Sequence, residues 1–229
     1  LGDKSIAMSG VLVGGMKAAT RSEECRAREP AGALPSRFVL QVDGVGSFVV
    51  VCGDSGTMGP VAGGAGAKGP DIPLVVEASA ATVTICRDEA DYFLRSSQPV
   101  KVNDHTTQQK LLVSGDRIGL STRCRVGFAI PNAAATTAVI DLVGARYPPG
   151  DVRRLILLDR DLVIGPGTVS HVRLDTLASP VVLHRRGREL QVETSERVQS
   201  PTGVIEPGRT LPMDTPLRCG ELGFVITRV

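Results

Sequence analysis

The chain of 229 residues contains few aromatic side chains, with five Phe, two Tyr and no Trp. Proteins that bind single-stranded nucleic acids stack the bases on aromatic side chains. A formal net charge of only +2 also provides no basic footprint for a phosphate backbone. The composition therefore argues against nucleic acid as a partner.

Long hydrophobic runs are also missing. No stretch of about 18 apolar residues occurs, so we expect no segment to span or bind a membrane. Residues 6–16 are apolar but short and glycine-rich, and the residues after them lack the small-residue cleavage site of a secretory signal. We expect residues 1–34 to form a loosely ordered N-terminal arm and the protein to be cytoplasmic.

The five cysteines lack the close spacing of a metal site. No two of them form a Cys-x-x-Cys pair, which argues against structural zinc. Cys52 and Cys86 lie in apolar runs typical of strands, and we interpret them as reduced core residues. His105, His171 and His184 have no second ligand at metal spacing, so we place them on the surface. The sequence predicts neither a metal nor a cofactor.

The tetrapeptide Gly-Asp-Ser-Gly at residues 53–56 also occurs at the nucleophile of chymotrypsin-like proteases. An activated serine needs a neighbouring base and a group that orients the base. All three histidines follow Ser55, whereas those proteases place the base before the serine. The glycines at residues 63–69 are likewise not followed by the Gly-Lys-Ser/Thr of a phosphate-binding loop. We therefore predict no enzymatic activity and interpret residues 53–56 as the tip of a hairpin.

Valine, glycine and proline are abundant, with 26 Gly and 15 Pro. Valine favours strands, and Gly and Pro favour turns, so the composition is typical of a β protein. The segments "SRFVLQVDG" and "SFVVVCGDSGTMGP" are matched further along the chain by "TTAVIDLVG" and "RRLILLDRDLVIGP". This internal repeat predicts an all-β fold with two tandem β-sandwiches, at residues 35–132 and 133–229.

Each half also contains a predicted hairpin with a charged tip. These are "ATVTICRDEADYFLRS" in the first half and "PVVLHRRGRELQVET" in the second, where apolar and polar residues alternate. Gly187 lies where the second hairpin needs a turn. We interpret Arg185, Arg186 and Arg188 beside it as a solvated hairpin tip.

The first half resembles a forkhead-associated (FHA) domain. The clearest stretches are "DIPLVVEASAATVTICRD" and "PVKVNDHTTQQKLLVSGDRIGL". The resemblance implies a β-sandwich whose loops bind phosphothreonine peptides. The second half resembles a more divergent copy, and the tandem arrangement is similar to bacterial FHA-containing regulatory proteins of signalling pathways.

The resemblance also implies candidate binding residues. The arginine that contacts phosphate in the family falls at Pro60, which cannot replace its charge. The loop serine falls at Ser79, and the histidine that supports the loops falls at Thr82. The peptide-binding asparagine falls at Asn103, and Lys68 is a substitute source of positive charge.

We therefore expect a non-enzymatic protein-binding module. The loops at residues 59–71, 78–82 and 102–108 are expected to hold a partner peptide. Binding depends on phosphothreonine if Ser79 and Asn103 are sufficient to bind the phosphate. Otherwise the partner is unphosphorylated. By family resemblance, partners include components of serine/threonine kinase pathways. The alternative is a structural or self-associating role without a peptide site.

Overall fold

The structure is a computed structural model that describes residues 33–61, 69–148 and 152–229. All secondary structure in these ranges is β, which confirms the predicted fold class. None of the described residues belongs to a helix long and apolar enough to cross a membrane. Lys68 and residues 1–32 of the predicted N-terminal arm lie outside the described residues.

The described residues form nineteen strands: β1 Arg37–Val42, β2 Gly46–Val51, β3 Ser55–Pro60, β4 Ile72–Leu74, β5 Val83–Asp88, β6 Asp91–Val102, β7 His105–Leu112, β8 Arg117–Gly119, β9 Arg125–Ala129, β10 Ala138–Val143, β11 Arg154–Leu157, β12 Asp161–Gly165, β13 Val172–Arg173, β14 Val181–Arg186, β15 Glu189–Glu193, β16 Val198–Ser200, β17 Gly203–Ile205, β18 Leu217–Cys219 and β19 Leu222–Arg228.

Fifteen of these strands belong to one sheet. Its order is β17-β16-β18-β19-β1-β2-β11-β10-β9-β8-β6-β5-β3-β4, with β7 paired to β6. The other four form a smaller sheet in the order β13-β12-β14-β15. The first strand of each half pairs with the last strand of the other half, β1 with β19 and β10 with β9. Because β2 and β11 also pair, in parallel, the two halves share one sheet.

The described residues form two hydrophobic cores. The first consists mainly of side chains from β3 to β9, but it includes Ile140 of β10 and Leu155 of β11. The second consists mainly of side chains from β12 to β19, but it includes Phe38 of β1 and Val50 of β2. Each core is therefore completed by a hairpin from the other half of the sequence.

Strands β2 and β11 lie between the two cores and are buried on both faces. Val49 contributes to the first core and Val50 to the second, and Leu155 and Ile156 are divided in the same way. All four side chains are fully buried. Both strands therefore appear in the sequence as unbroken apolar runs without the alternation of a half-exposed strand.

The predicted boundary between two sandwiches, at residues 132 and 133, lies between β9 and β10. These two strands are neighbours in the large sheet. The division into tandem sandwiches at this boundary stays a prediction. The two hydrophobic cores do not follow the boundary, because each core contains strands from both sides of it.

Two of the predicted hairpins are confirmed. β5 pairs with β6 and closes at Asp88 and Asp91, and β14 pairs with β15 and closes at Arg186 and Glu189. Gly187 has a φ of +61° in the second turn, a conformation that favours glycine.

The prediction that residues 53–56 form a hairpin tip is wrong. β2 pairs with β1 and β11, whereas β3 pairs with β4 and β5, so the strands on either side of these residues are not partners. Local turn residues indicate that the chain changes direction, but not which strand it meets next. Arg87 holds this connection, because it pairs with Asp54 at 2.5 Å and also with Asp159 at the equivalent connection after β11. Ser55 is an exposed residue at the start of β3.

The prediction that His171 lies on the surface is wrong, because its side chain is fully buried. Its Nδ1 accepts a hydrogen bond from the Val163 amide at 2.9 Å, and its Nε2 lies 3.2 Å from the Thr137 carbonyl oxygen. Burial lowers the pKa of this imidazole to about 4, so the ring is neutral near pH 7 and its proton lies on Nε2. This neutral ring links β12 to the residue that precedes β10.

The four cysteines in the described part of the chain are free thiols. Cys52 lies directly after β2 and is buried in the second core, which agrees with its interpretation as a core residue. Cys86 on β5 is half-buried and belongs to neither core. Burial raises the pKa of Cys52 to about 11, so its thiol is protonated at neutral pH.

Candidate functional site

Three segments of the first half meet in an open depression of about 700 Å³, which we call the end cleft. They are the connection from β3 to β4, the connection from β4 to β5, and the middle of β6. The lining includes Thr57, Pro60, Asp71, Thr82, Ser97 and Gln98. The structure thus brings together the predicted loop at residues 78–82 and the described ends, 59–61 and 69–71, of the predicted loop at residues 59–71. The predicted third loop, at residues 102–108, does not line the end cleft.

A close contact between Gly59 and Thr82 sets the floor of the end cleft. A Cβ atom on Gly59 would lie 2.5 Å from Thr82 Oγ1 and 3.1 Å from Thr82 Cα, so any side chain here would force Thr82 to shift. The glycine therefore allows the start of β5 to lie directly against β3. The second half repeats this packing, since a Cβ atom on Gly165 would lie 3.0 Å from Pro180 Cα.

Asp71 and Thr57 tie the β3–β4 connection to β3. The Asp71 carboxylate accepts hydrogen bonds from the Thr57 amide at 2.9 Å and the Thr57 hydroxyl at 2.8 Å. In return, the Asp71 amide donates to Thr57 Oγ1 at 2.8 Å. This reciprocal pairing fixes the chain where it re-enters the sheet at β4.

The charge of the end cleft does not favour phosphate. Asp71 is the charged residue among its described lining, and no lysine or arginine lines the described part. Pro60 occupies the position where the FHA resemblance predicts a phosphate-binding arginine. Among these described lining residues, a phosphoryl group would lie near a carboxylate and would find no cation to stabilise it.

The candidates Ser79 and Thr82 differ in position. Ser79 is exposed in a turn closed by a hydrogen bond from the Ala80 amide to the Glu77 carbonyl at 2.9 Å, and it does not line the end cleft. Thr82 does line it, and its carbonyl accepts a hydrogen bond from the Ser96 hydroxyl at 3.1 Å.

Ser97 and Gln98 line the end cleft but were not identified from the sequence. They lie where the pairing of β6 with β7 shifts register, between Arg95 and Val100. Pro99 within this strand is the available signal, because proline in a sheet marks an edge or a bulge.

Asn103 lies outside the end cleft, in the tight turn between β6 and β7. Its Nδ2 donates to Asp116 Oδ1 at 2.6 Å, and its Oδ1 accepts from the Arg117 amide at 2.8 Å. Asp116 is 1% exposed and also accepts bonds from Lys110 and the Val113 amide. Burial alone would raise the pKa of Asp116, but these hydrogen bonds outweigh burial and lower the pKa. Asn103 therefore holds the turn in place.

A second depression, of about 390 Å³, lies on the exposed face of β6, β8 and β9, and we call it the basic trough. Its lining includes Lys101, Arg117, Gly119, Arg125, Asn103 and Asp104. It adjoins the end cleft, because Pro99 lines the trough and the preceding residue, Gln98, lines the cleft.

In the second half, the exposed groove beside β15 contains His184 between two carboxylates. Its Nδ1 lies 2.6 Å from Asp161 Oδ1 and its Nε2 lies 2.8 Å from Glu193 Oε2. Both ring nitrogens lie within hydrogen-bond distance of a carboxylate, and no hydrogen bond joins the ring to the Thr194 or Ser195 hydroxyl within the described residues. This arrangement stabilises the edge of the small sheet and does not resemble a nucleophile and its base.

No family model, curated protein or solved structure matches the chain. The resemblance to FHA domains therefore stays a prediction. Within residues 33–61, 69–148 and 152–229, no group of three or more His, Cys, Asp or Glu side chains is placed to hold a metal ion.

Proposed function

We propose that this protein is a non-enzymatic protein-binding module of the FHA type that holds an extended, unphosphorylated segment of a partner in the end cleft. The observation that carries the proposal is the lining of the cleft. Hydroxyl and amide groups are present, the charged residue is an aspartate, and Pro60 replaces the arginine of a phosphate site.

The end cleft suits the backbone of an extended peptide. The Thr82 and Ser97 hydroxyls and the Gln98 amide group supply both donors and acceptors along one wall. Peptide groups need both kinds of partner, whereas a phosphoryl group needs donors and positive charge. The bonds between Asp71 and Thr57, together with the Gly59 contact, keep the opposite wall rigid. A rigid wall lowers the entropy cost of binding.

Self-association is the second candidate, and one observation favours it. β7 pairs with β6 alone among the described strands, so no described strand covers its other edge. Leu111 at its end is 46% exposed, and Val113 just after it is 56% exposed. A second copy of the chain could add a strand there.

Selection of unphosphorylated peptides on the purified protein tests the proposal. We expect the selected peptides to lose binding to the Gln98→Ala variant and to retain it with Gln199→Ala, a matched change at an exposed glutamine of the second half. Peptides that bind both variants equally well, or a library that yields no binder while the protein dimerises at micromolar concentration, would contradict the proposal and favour self-association.

A further inference from the structure

Three cations in the basic trough surround a single glycine. Lys101 of β6 pairs with Gly119 of β8, and Gly119 in turn pairs with Arg125 of β9. Arg117 lies two residues before Gly119 on the same strand and therefore on the same face. Since Gly119 has no side chain, the three cationic side chains border an open space.

These cations have no counter-charge within the described residues. The side chains of Lys101, Arg117 and Arg125 are exposed, and no hydrogen bond or ion pair joins any of them to another described residue. Asp104 lies at the rim of the trough, and Asp116 beneath it is buried and bonded to Lys110.

Some arginines elsewhere in the molecule are paired with carboxylates. Arg154 pairs with Asp141 at 2.6 Å on the same sheet, and Arg173 pairs with Asp175 at 2.9 Å. Like charges in one depression repel one another. An anion in the trough would therefore reduce the repulsion between its cations.

The corresponding place in the second half carries charges of both signs. β18 pairs with β19 as β8 pairs with β9, and this register makes Arg218 the counterpart of Arg117 and Gly220 the counterpart of Gly119. The depression beside Gly220 is lined by the Glu196 carboxylate as well as by arginines. The excess of cations is therefore larger in the first half.

We propose that the basic trough binds an acidic segment of a partner protein, through glutamate or aspartate carboxylates at alternate positions of an extended chain. Arg117 and Gly119 are separated by about 7 Å along their strand, and Lys101 and Arg125 by roughly 10 Å across two strand spacings. Same-side residues of an extended peptide are also about 7 Å apart. The spread of the cations thus matches two carboxylates better than one compact anion.

The low net charge and the scarcity of aromatic residues favour an acidic peptide over nucleic acid as the occupant. The site lies beyond the end cleft, and its binding does not depend on the peptide proposed to lie there.

Fluorescence anisotropy with a labelled peptide of alternating Glu and Thr tests this site, with a Gln-and-Thr peptide and a single-stranded oligonucleotide as comparisons. We expect the Glu peptide to bind the full protein at least tenfold more tightly than the Gln peptide at low salt, and to weaken as salt is added. Arg117→Glu should weaken binding about tenfold, and Arg209→Glu, the same change at another exposed arginine, less than twofold.

The Gly119→Arg variant distinguishes binding within the open space of the trough from nonspecific electrostatic attraction to a positively charged surface. The site for a Cβ atom on Gly119 has its nearest atoms 3.7 Å away, so we expect the fold to tolerate the substitution, which places a side chain between the cations of the trough. Although the variant gains positive charge, we expect its affinity for the Glu peptide to fall about tenfold because the trough is filled. Unchanged or tighter binding by Gly119→Arg, equal binding of the Glu and Gln peptides, or tighter binding of the oligonucleotide would overturn the proposal. Gln98→Ala should leave this binding unchanged, which separates the trough from the end cleft.

Discussion

Gly59 and Thr82 are packed so closely that a Cβ atom on the glycine would lie 2.5 Å from the threonine hydroxyl oxygen. The contact joins β3 to the start of β5 and places the two loops of the end cleft beside each other. Packing therefore explains why residue 59 is a glycine, and the neighbouring Pro60 carries no charge at the position where the FHA resemblance predicts an arginine.

Gly59→Ala tests this contact. We expect the free energy of unfolding to fall by about 1–3 kcal/mol, because the added methyl group must displace the β5 backbone. Urea denaturation measures the change. Gly56→Ala on the same strand is the matched control, since its Cβ atom would meet Ile72 Cδ1 at an ordinary 3.6 Å. Equal stability of the two variants would mean that β5 moves freely away from β3.

Asp116→Asn should destabilise the protein by about 2 kcal/mol at pH 7, because the Lys110 ammonium loses its charged acceptor. The pKa of Asp116 is lowered in the folded state, so its contribution is fully present above about pH 4 and disappears as the pH falls further. The difference between wild type and variant in urea denaturation should therefore shrink below pH 4. The exposed Asp104→Asn serves as control, and a pH-independent difference would contradict the account.

His171 should make the protein less stable in acid. Its pKa is about 4 when folded, so between pH 6.5 and 4 the unfolded chain binds a proton that the folded chain does not. The free energy of unfolding should therefore fall as the pH drops through this window, by on the order of 3 kcal/mol in total. His171→Gln should remove this part of the pH dependence. His105→Gln, at the exposed first residue of β7, should retain it, and the same slope in both variants would exclude His171 as the cause.

Each hydrophobic core is completed by a hairpin from the other half of the sequence, so we expect the two halves to stay together after the chain is cut. A protease site inserted between Ala133 and Ala134, both exposed, allows cleavage of the folded protein between β9 and β10. We expect the cleaved protein to elute as one species on size exclusion, because each core contains strands of both fragments. Two separate folded fragments would instead indicate independent tandem sandwiches.

The sequence predicts the local parts of this fold well. Alternation and turn residues identify the hairpins closed at Asp88 and Asp91 and at Gly187, because both strands and their turn are contiguous. They do not identify the partner of β2, since Val49 pairs with Leu155 of β11 and no local signal encodes so distant a contact.

The same limitation applies to the candidate sites. Asn103 lies by the basic trough and not in the end cleft, because the irregular middle of β6 places Ser97 and Gln98 in the cleft instead. The basic trough was not visible in the sequence. Lys101, Arg117 and Arg125 are far apart along the chain and meet only through the pairing of β6, β8 and β9.

Binding of matched peptide libraries with a central threonine or phosphothreonine tests the central claim most directly. The Arg117→Glu variant is measured in parallel, so that the basic trough cannot supply the phosphate contact. We predict that phosphate does not increase affinity for the Arg117→Glu variant, and that Ser79→Ala binds as the wild type does. Binding at least tenfold tighter to the phosphorylated library, retained in Arg117→Glu and lost in Ser79→Ala, would contradict the account.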